Sequence, residues 1–161
     1  MGRRRSGLVW IVGVAMVGGG AAFISLLGKG PDAEDVAAAK HIGVPVPDYE
    51  LLRKLNRQNG QIDLSDGEWL TVSRYARQGP EGVQGRALKV LSHLPQSSRW
   101  RSDAIQIAAD YLDQRHADGN VAPILVLRSM GDERWKLEAT RLQQSATVEN
   151  RELGNALLKL K

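Results

Sequence analysis

Apolar residues recur along this chain at intervals of three and four almost from end to end, and one stretch departs from that rhythm by having no polar break. Gly7 to Gly28, GLVWIVGVAMVGGGAAFISLLG, carries no charged side chain over 22 residues. At about 1.5 Å per residue it makes a helix of roughly 33 Å, enough to cross a hydrocarbon core of about 30 Å. It predicts a transmembrane helix. Beyond it, Pro31-Asp32 opens a short helix reaching about His41, with acidic residues in its first turn. Ile42 to Pro47, IGVPVP, then predicts an extended linker, because two prolines spaced by one residue remove donors and disfavour helix in the residues before them.

From Asp48 onward the pattern is helical and no segment alternates like a strand. Asp48 is placed to cap a helix carrying Leu51, Leu52 and Leu55, which stops at Asn59-Gly60. Ser65-Asp66-Gly67-Glu68 is a capping box followed by Trp69, Val72, Tyr75 and Ala76 on one face. Gly79-Pro80 ends that helix and starts another, whose face is Val83, Ala87, Val90, Leu91 and Leu94. Ser98 opens the next, with Trp100, Ala104, Ile107, Ala108, Tyr111 and Leu112, and Asp118-Gly119-Asn120 closes it. Val121 to Met130 is nearly all apolar and predicts the most buried helix. Gly131-Asp132 serves as stop and cap for a helix bearing Trp135, Ala139 and Leu142, and a last helix runs from about Val148 through Leu153, Ala156, Leu157 and Leu160.

Three of these helices open on a tryptophan, at Gly67-Glu68-Trp69, Ser98-Arg99-Trp100 and Glu133-Arg134-Trp135, with intervals of 31 and 35 residues. One helical hairpin per interval is the period of an α-solenoid, in which stacking creates the core that no single hairpin has. The tail, with its Gly131-Asp132 turn, Arg141-Leu142, Val148-Glu149-Asn150-Arg151 and Ala156-Leu157-Leu158-Lys159-Leu160, resembles a HEAT-like repeat. Arg86-Ala87-Leu88-Lys89-Val90-Leu91 and Val126-Leu127-Arg128-Ser129-Met130-Gly131 look like second helices of earlier units, so the resemblance covers residues 64–161. It implies a right-handed α-solenoid used as a protein-binding scaffold, and it implies no catalytic residue. Asn56 to Asp66 also resembles a degenerate EF-hand, with Leu55, Arg57, Asn59, Gly60 and Asp66 at loop positions one, three, five, six and twelve. Leucine and arginine stand where oxygen ligands are required, so the pattern argues against calcium.

Charge gives the chain a direction. Arg3, Arg4 and Arg5 precede the apolar run while Asp32, Glu34 and Asp35 follow it, which by the positive-inside rule places the N-terminus in the cytoplasm and the domain outside, in a bacterium the periplasm. A cleaved signal peptide is the rival reading, although its apolar core is normally about 7–15 residues. Within the span Gly18 and Ala22, and Ala15 and Gly19, form small-xxx-small steps that let a second helix approach. Removing Arg3, Arg4, Arg5 and Lys29 from the 22 Lys+Arg leaves 18 against 18 Asp+Glu, so the rest is neutral and lacks the footprint of a nucleic-acid binder. Local charge is uneven. Residues 69–101 hold Arg74, Arg77, Arg86, Lys89, Arg99 and Arg101 against Glu81 alone, a candidate basic interaction face for an acidic partner or anionic headgroups.

Catalytic chemistry is sparse. With no cysteine, disulfides, thiol catalysis, cysteine-ligated zinc and a lipidated-cysteine anchor are excluded. His41, His93 and His116 are scattered; Asp113 and His116 lie one turn apart but suit a solvated helix face, and neither a nucleophile elbow nor a phosphate-binding glycine loop occurs. A pocket joining Asp113, His116 and Asp118 is what an enzyme would need. The expectation is therefore an all-α protein without cofactor or metal. A basic cytoplasmic N-terminus spans 1–6, a transmembrane helix 7–28, a juxtamembrane helix and proline-rich linker 29–47, and a HEAT-like domain 48–161. It is expected in the inner membrane, in contact with lipid and other protein subunits, as an interaction module or as an accessory subunit docked through its glycine-rich span.

Overall fold

The computed structural model describes residues 33–115 and 120–159, and among them the chain is all-helical, with eight α-helices and no strand. The apolar run with Ala15, Gly18, Gly19 and Ala22 lies outside the described residues, as do His116 and Asp118. None of the described helices is long and apolar enough to cross a membrane.

The short helix expected after Pro31-Asp32 is α1, Ala33–Ile42. It stops at Gly43, whose φ of +70° is the left-handed conformation glycine adopts without Cβ strain. The N–H groups of Gly43 and Val44 then return to the carbonyls of Lys40 and Ala39, the paired bonds of a Schellman stop. The linker expected over Ile42 to Pro47 is shorter than the prolines imply, because α2 runs Val46–Asn56. Pro45 stands at its N-cap and Pro47 in its first turn, where a missing N–H costs no hydrogen bond. Ala39 and Val44 are buried in the common core, and Asp35 of α1 pairs with Arg53 of α2. Asp48 is not the cap: its carboxylate accepts from Arg74 at 2.7 Å and from the Tyr75 hydroxyl at 2.8 Å, tying α2 to the next helix.

That helix, α3, spans Asp66–Gln78 and starts on the predicted capping box, Ser65 N–H donating to Glu68 at 3.0 Å and Glu68 N–H to Ser65 Oγ at 3.4 Å. Gly79-Pro80 separates it from α4, Glu81–Leu91. The following helix α5 covers Arg101–Arg115, three residues later than Ser98, whose hydroxyl accepts the Trp100 N–H in the preceding turn. α6 spans Ala122–Ser129, and Ala122, Pro123, Ile124, Val126 and Leu127 are buried along it. Gly131, at φ +70°, closes α6 by a second Schellman pair to Arg128 and Leu127. The last two helices are α7, Arg134–Gln143, and α8, Val148–Lys159. On α8 the expected core face is only partly used: Leu157 and Gly154 are buried, whereas Ala156 is exposed.

Consecutive helices pair as α3 with α4, α5 with α6, and α7 with α8, and α4 lies between α2 and α6 while α3 touches α5. One apolar cluster runs through all of them from Ala39 to Leu157. Of Trp69, Trp100 and Trp135 the first two meet, stacking with ring centroids 4.7 Å apart and planes within 3°, and the Trp100 indole donates to the Leu64 carbonyl. Trp135 sits half-buried against the core.

Candidate functional site

On α4 the residues not facing the core form their own stripe. Gly82, Gly85, Arg86 and Lys89 lie along one side of α4 with His93 just past its end, and Val121 at the N-cap of α6 is followed along that helix by Leu125, Arg128 and Ser129. Gly85 lies beside Asn120 at the start of α6, and Gly131 after α6 lies beside Gln96 after α4, so the two helices run parallel. Their stripes face each other across an open groove of about 1070 Å³. Small and apolar residues line its start: a Cβ at Gly82 would meet nothing within 4 Å, and Val121 and Leu125 form the opposite wall. Cations line its far end, where Lys89 and Arg128 stand in the last turns of their helices. This arrangement also suits the negative ends of the two helix dipoles.

Asn120 closes the start of the groove by donating to the Tyr111 hydroxyl at 3.0 Å and accepting the Ala122 N–H at 3.0 Å. Past the cationic end the surface continues into a polar hollow of about 580 Å³, where the His93 ring and the Gly60 carbonyl lie 3.2 Å apart. A third hollow, of about 330 Å³, lies beside Gln84 and Tyr111. The Gln84 amide donates to the Ala76 and Arg77 carbonyls at the end of α3, and its Oε1 has no hydrogen-bond partner among the described residues.

The six basic residues expected to share a face are divided by the fold. Arg86 and Lys89 line the groove. Arg74 is taken up by Asp48 and lies over the Tyr75 ring, Arg99 pairs with Asp66 and covers Trp100, and Arg101 donates to the Met130 carbonyl at 2.9 Å. Arg77 borders the hollow beside Gln84. Arg128, read in the sequence only as part of a repeat unit, joins the groove instead. Its spacing from Val121 and Leu125 was the available signal, but that pattern does not say which helix stands opposite.

The EF-hand-like positions do not converge either. Leu55 is in the core, Asp66 pairs with Arg99, Asn56 donates to the carbonyls of Leu52 and Arg86, and the Ile62 N–H goes to the His93 carbonyl at 2.9 Å. Among the described residues no group of three or more metal-ligating side chains is brought together. The Tyr75 hydroxyl is pushed up by burial and by its bond to the Asp48 carboxylate, while the Asp132 carboxyl is held low chiefly by its hydrogen bonds from the Arg134 side chain. Comparison with protein-family models, with curated proteins and with solved structures returns no match to this chain.

Proposed function

We propose that the chain is a single-pass membrane protein whose HEAT-like α-solenoid domain binds other proteins on the extracytoplasmic side, as an interaction or scaffold module without catalytic chemistry of its own. The observation that carries this is the open groove between the parallel helices α4 and α6, on a row of helices that also includes α2. Helical hairpins in series offer such surfaces as a consequence of their stacking. The anchoring rests on the uncharged run Gly7 to Gly28, and the orientation on Arg3, Arg4 and Arg5 before it. A second reading, an accessory subunit docked through the span, rests on the Gly18/Ala22 and Ala15/Gly19 steps.

The full chain, a form lacking residues 64–161 and a form with Gly18, Gly19 and Ala22 changed to leucine are to be purified from gently solubilised membranes and their co-purifying proteins compared. Loss on deleting the helical domain is expected for an interaction module, and loss in the leucine variant for a docked span. Undiminished recovery after the deletion overturns the module reading. Orientation is read by a reporter active only outside the cytoplasm and fused after Lys161, which is expected to be active.

A further inference from the structure

We propose that the hollow between the end of α3 and helices α4 and α5 binds a free α-amino acid, its carboxylate held by Arg77 and its ammonium group by Asp110 and the side-chain oxygen of Gln84. Gln84 is only 5% exposed, and its amide is half satisfied. The Nε2 donates to the carbonyls of Ala76 at 3.0 Å and Arg77 at 3.3 Å. Those carbonyls can only accept, so the amide cannot be turned over without losing both bonds. Its Oε1 is left buried with no donor among the described residues. A buried acceptor in that state is unfavourable until something donates to it. Gln84 lines a hollow of about 330 Å³, from which a donor can come.

The charges around the hollow select the ligand. Arg77, in the last turn of α3, and Asp110, on α5, both border it and both are exposed. Neither forms an ion pair among the described residues, even with the other, although Arg53, Arg74, Arg99, Arg134, Lys136 and Arg141 all pair with carboxylates elsewhere on this domain. Asp110 accepts from Gln106 at 2.6 Å through one oxygen, which leaves its second oxygen for a ligand. The lining therefore offers a planar donor fork suited to a carboxylate and, apart from it, acceptors that want a donor. An ammonium group brings three donors and no acceptor, and the carbonyl end of α3 favours positive charge beside it. Ile107 and the Tyr111 ring give the lining its apolar part, the Tyr111 hydroxyl being engaged with Asn120. Small-molecule sites begin at about 300 Å³, so the space suits a single small zwitterion and is too small for a helical segment. A metal ion is the lesser candidate, because Arg77 borders the same space and no group of three or more ligating side chains is brought together among the described residues.

The test is calorimetric titration of the full chain in phosphatidylcholine nanodiscs with the standard free L-amino acids, one at a time, beside acetate and methylamine. Saturable binding of at least one amino acid is expected, and its N-acetyl and C-terminal amide derivatives, which lack one charge each, should not bind. Arg77→Gln and Asp110→Asn should each weaken the binding about tenfold. Both side chains are exposed and make no ion pair among the described residues, so the fold should be kept, which circular dichroism melts verify. Gln84→Met removes the orphaned acceptor together with the donor to α3, and should abolish binding with a lowered melting temperature. Absence of binding by every amino acid, equal binding of acetate or methylamine alone, or an affinity unchanged in the folded Arg77 and Asp110 variants overturns the proposal. The site goes beyond the interaction-module reading and is independent of it: a protein partner retained through residues 64–161 supports that reading whether or not an amino acid binds.

Discussion

Single side chains decide where several helices begin. Ser65 and Glu68 satisfy each other's backbone N–H groups at the start of α3, so Ser65→Ala removes one half of a reciprocal cap. A loss of about 1 kcal/mol in urea unfolding is expected, and an unchanged midpoint would show the cap to be idle. At the start of α7 the carboxylate of Asp132 accepts from the Arg134 N–H at 3.0 Å and from its guanidinium at 2.9 Å. The Arg134 side chain is the main reason the Asp132 carboxyl titrates below its ordinary value of 3.8, with burial opposing. The folded form therefore binds that proton less readily than the unfolded chain. Its stabilisation is complete above the ordinary carboxylate value and is lost as pH falls through the lower, folded one. Asp132→Asn should accordingly be less stable than the parent near pH 7 and approach it near pH 2. A deficit of equal size at both values would mean that ionisation is not the cause. Asp132 stands one residue before the N-cap of α7, Glu133, which makes no side-chain capping bond, and the Ser65–Glu68 cap was legible in the sequence because capping is a matter of three or four neighbouring residues. Asp48 was not, since its partners Arg74 and Tyr75 lie one helix further on.

Between elements, α8 passes close against α7. Gly154 is buried there, and a Cβ on it would lie 2.7 Å from the Ala139 carbonyl oxygen and nearer still to the Gln143 nitrogen. These are backbone atoms that cannot turn aside. Gly154→Ala should therefore force the two helices apart despite alanine's better helix propensity, costing about 1–3 kcal/mol. Hydrogen exchange across α8 is the direct measurement, and faster exchange confined to α7 and α8 is expected. Slower exchange, as propensity alone would give, overturns the crossing as described. The hydrophobic pattern of α8 gave no warning of this, because it marks leucines for burial and is silent on a glycine that two backbones share. Proline misled in the opposite direction: IGVPVP reads as a break, yet one of its prolines occupies a first turn that needs no donor.

At the scale of the whole molecule, one apolar cluster threads every helix from α1 to α8, and the stacked Trp69 and Trp100 sit where α3 meets the approach to α5. A continuous core predicts a single cooperative transition, in which tryptophan fluorescence from the middle of the array and far-ultraviolet circular dichroism from all its helices change together. Two separated transitions would show that the array divides between hairpins. The array leaves apolar side chains uncovered as well, with Leu70 68% and Leu137 54% exposed. Scattered single exposures of this kind are ordinary in folded proteins.

The amino-acid sequence by itself determined the all-helical class, most helix starts and stops, and most of the core, because each follows from a local rule: a 3.6-residue period, a cap, a turn glycine. Val83, Ala87, Val90, Leu91 and Leu94 were marked for burial by spacing alone, and all are buried. Which helices stand side by side was decided only by tertiary structure. Pairing depends on how side chains tens of residues apart fit, and helical periodicity carries no term for that. The basic run of residues 69–101 shows the difference. Its six cations are contiguous in charge along the chain, but the fold binds three of them to Asp48, Asp66 and the Met130 carbonyl, and brings Arg86 and Lys89 to face Arg128 across a groove that forms only when α4 and α6 lie parallel.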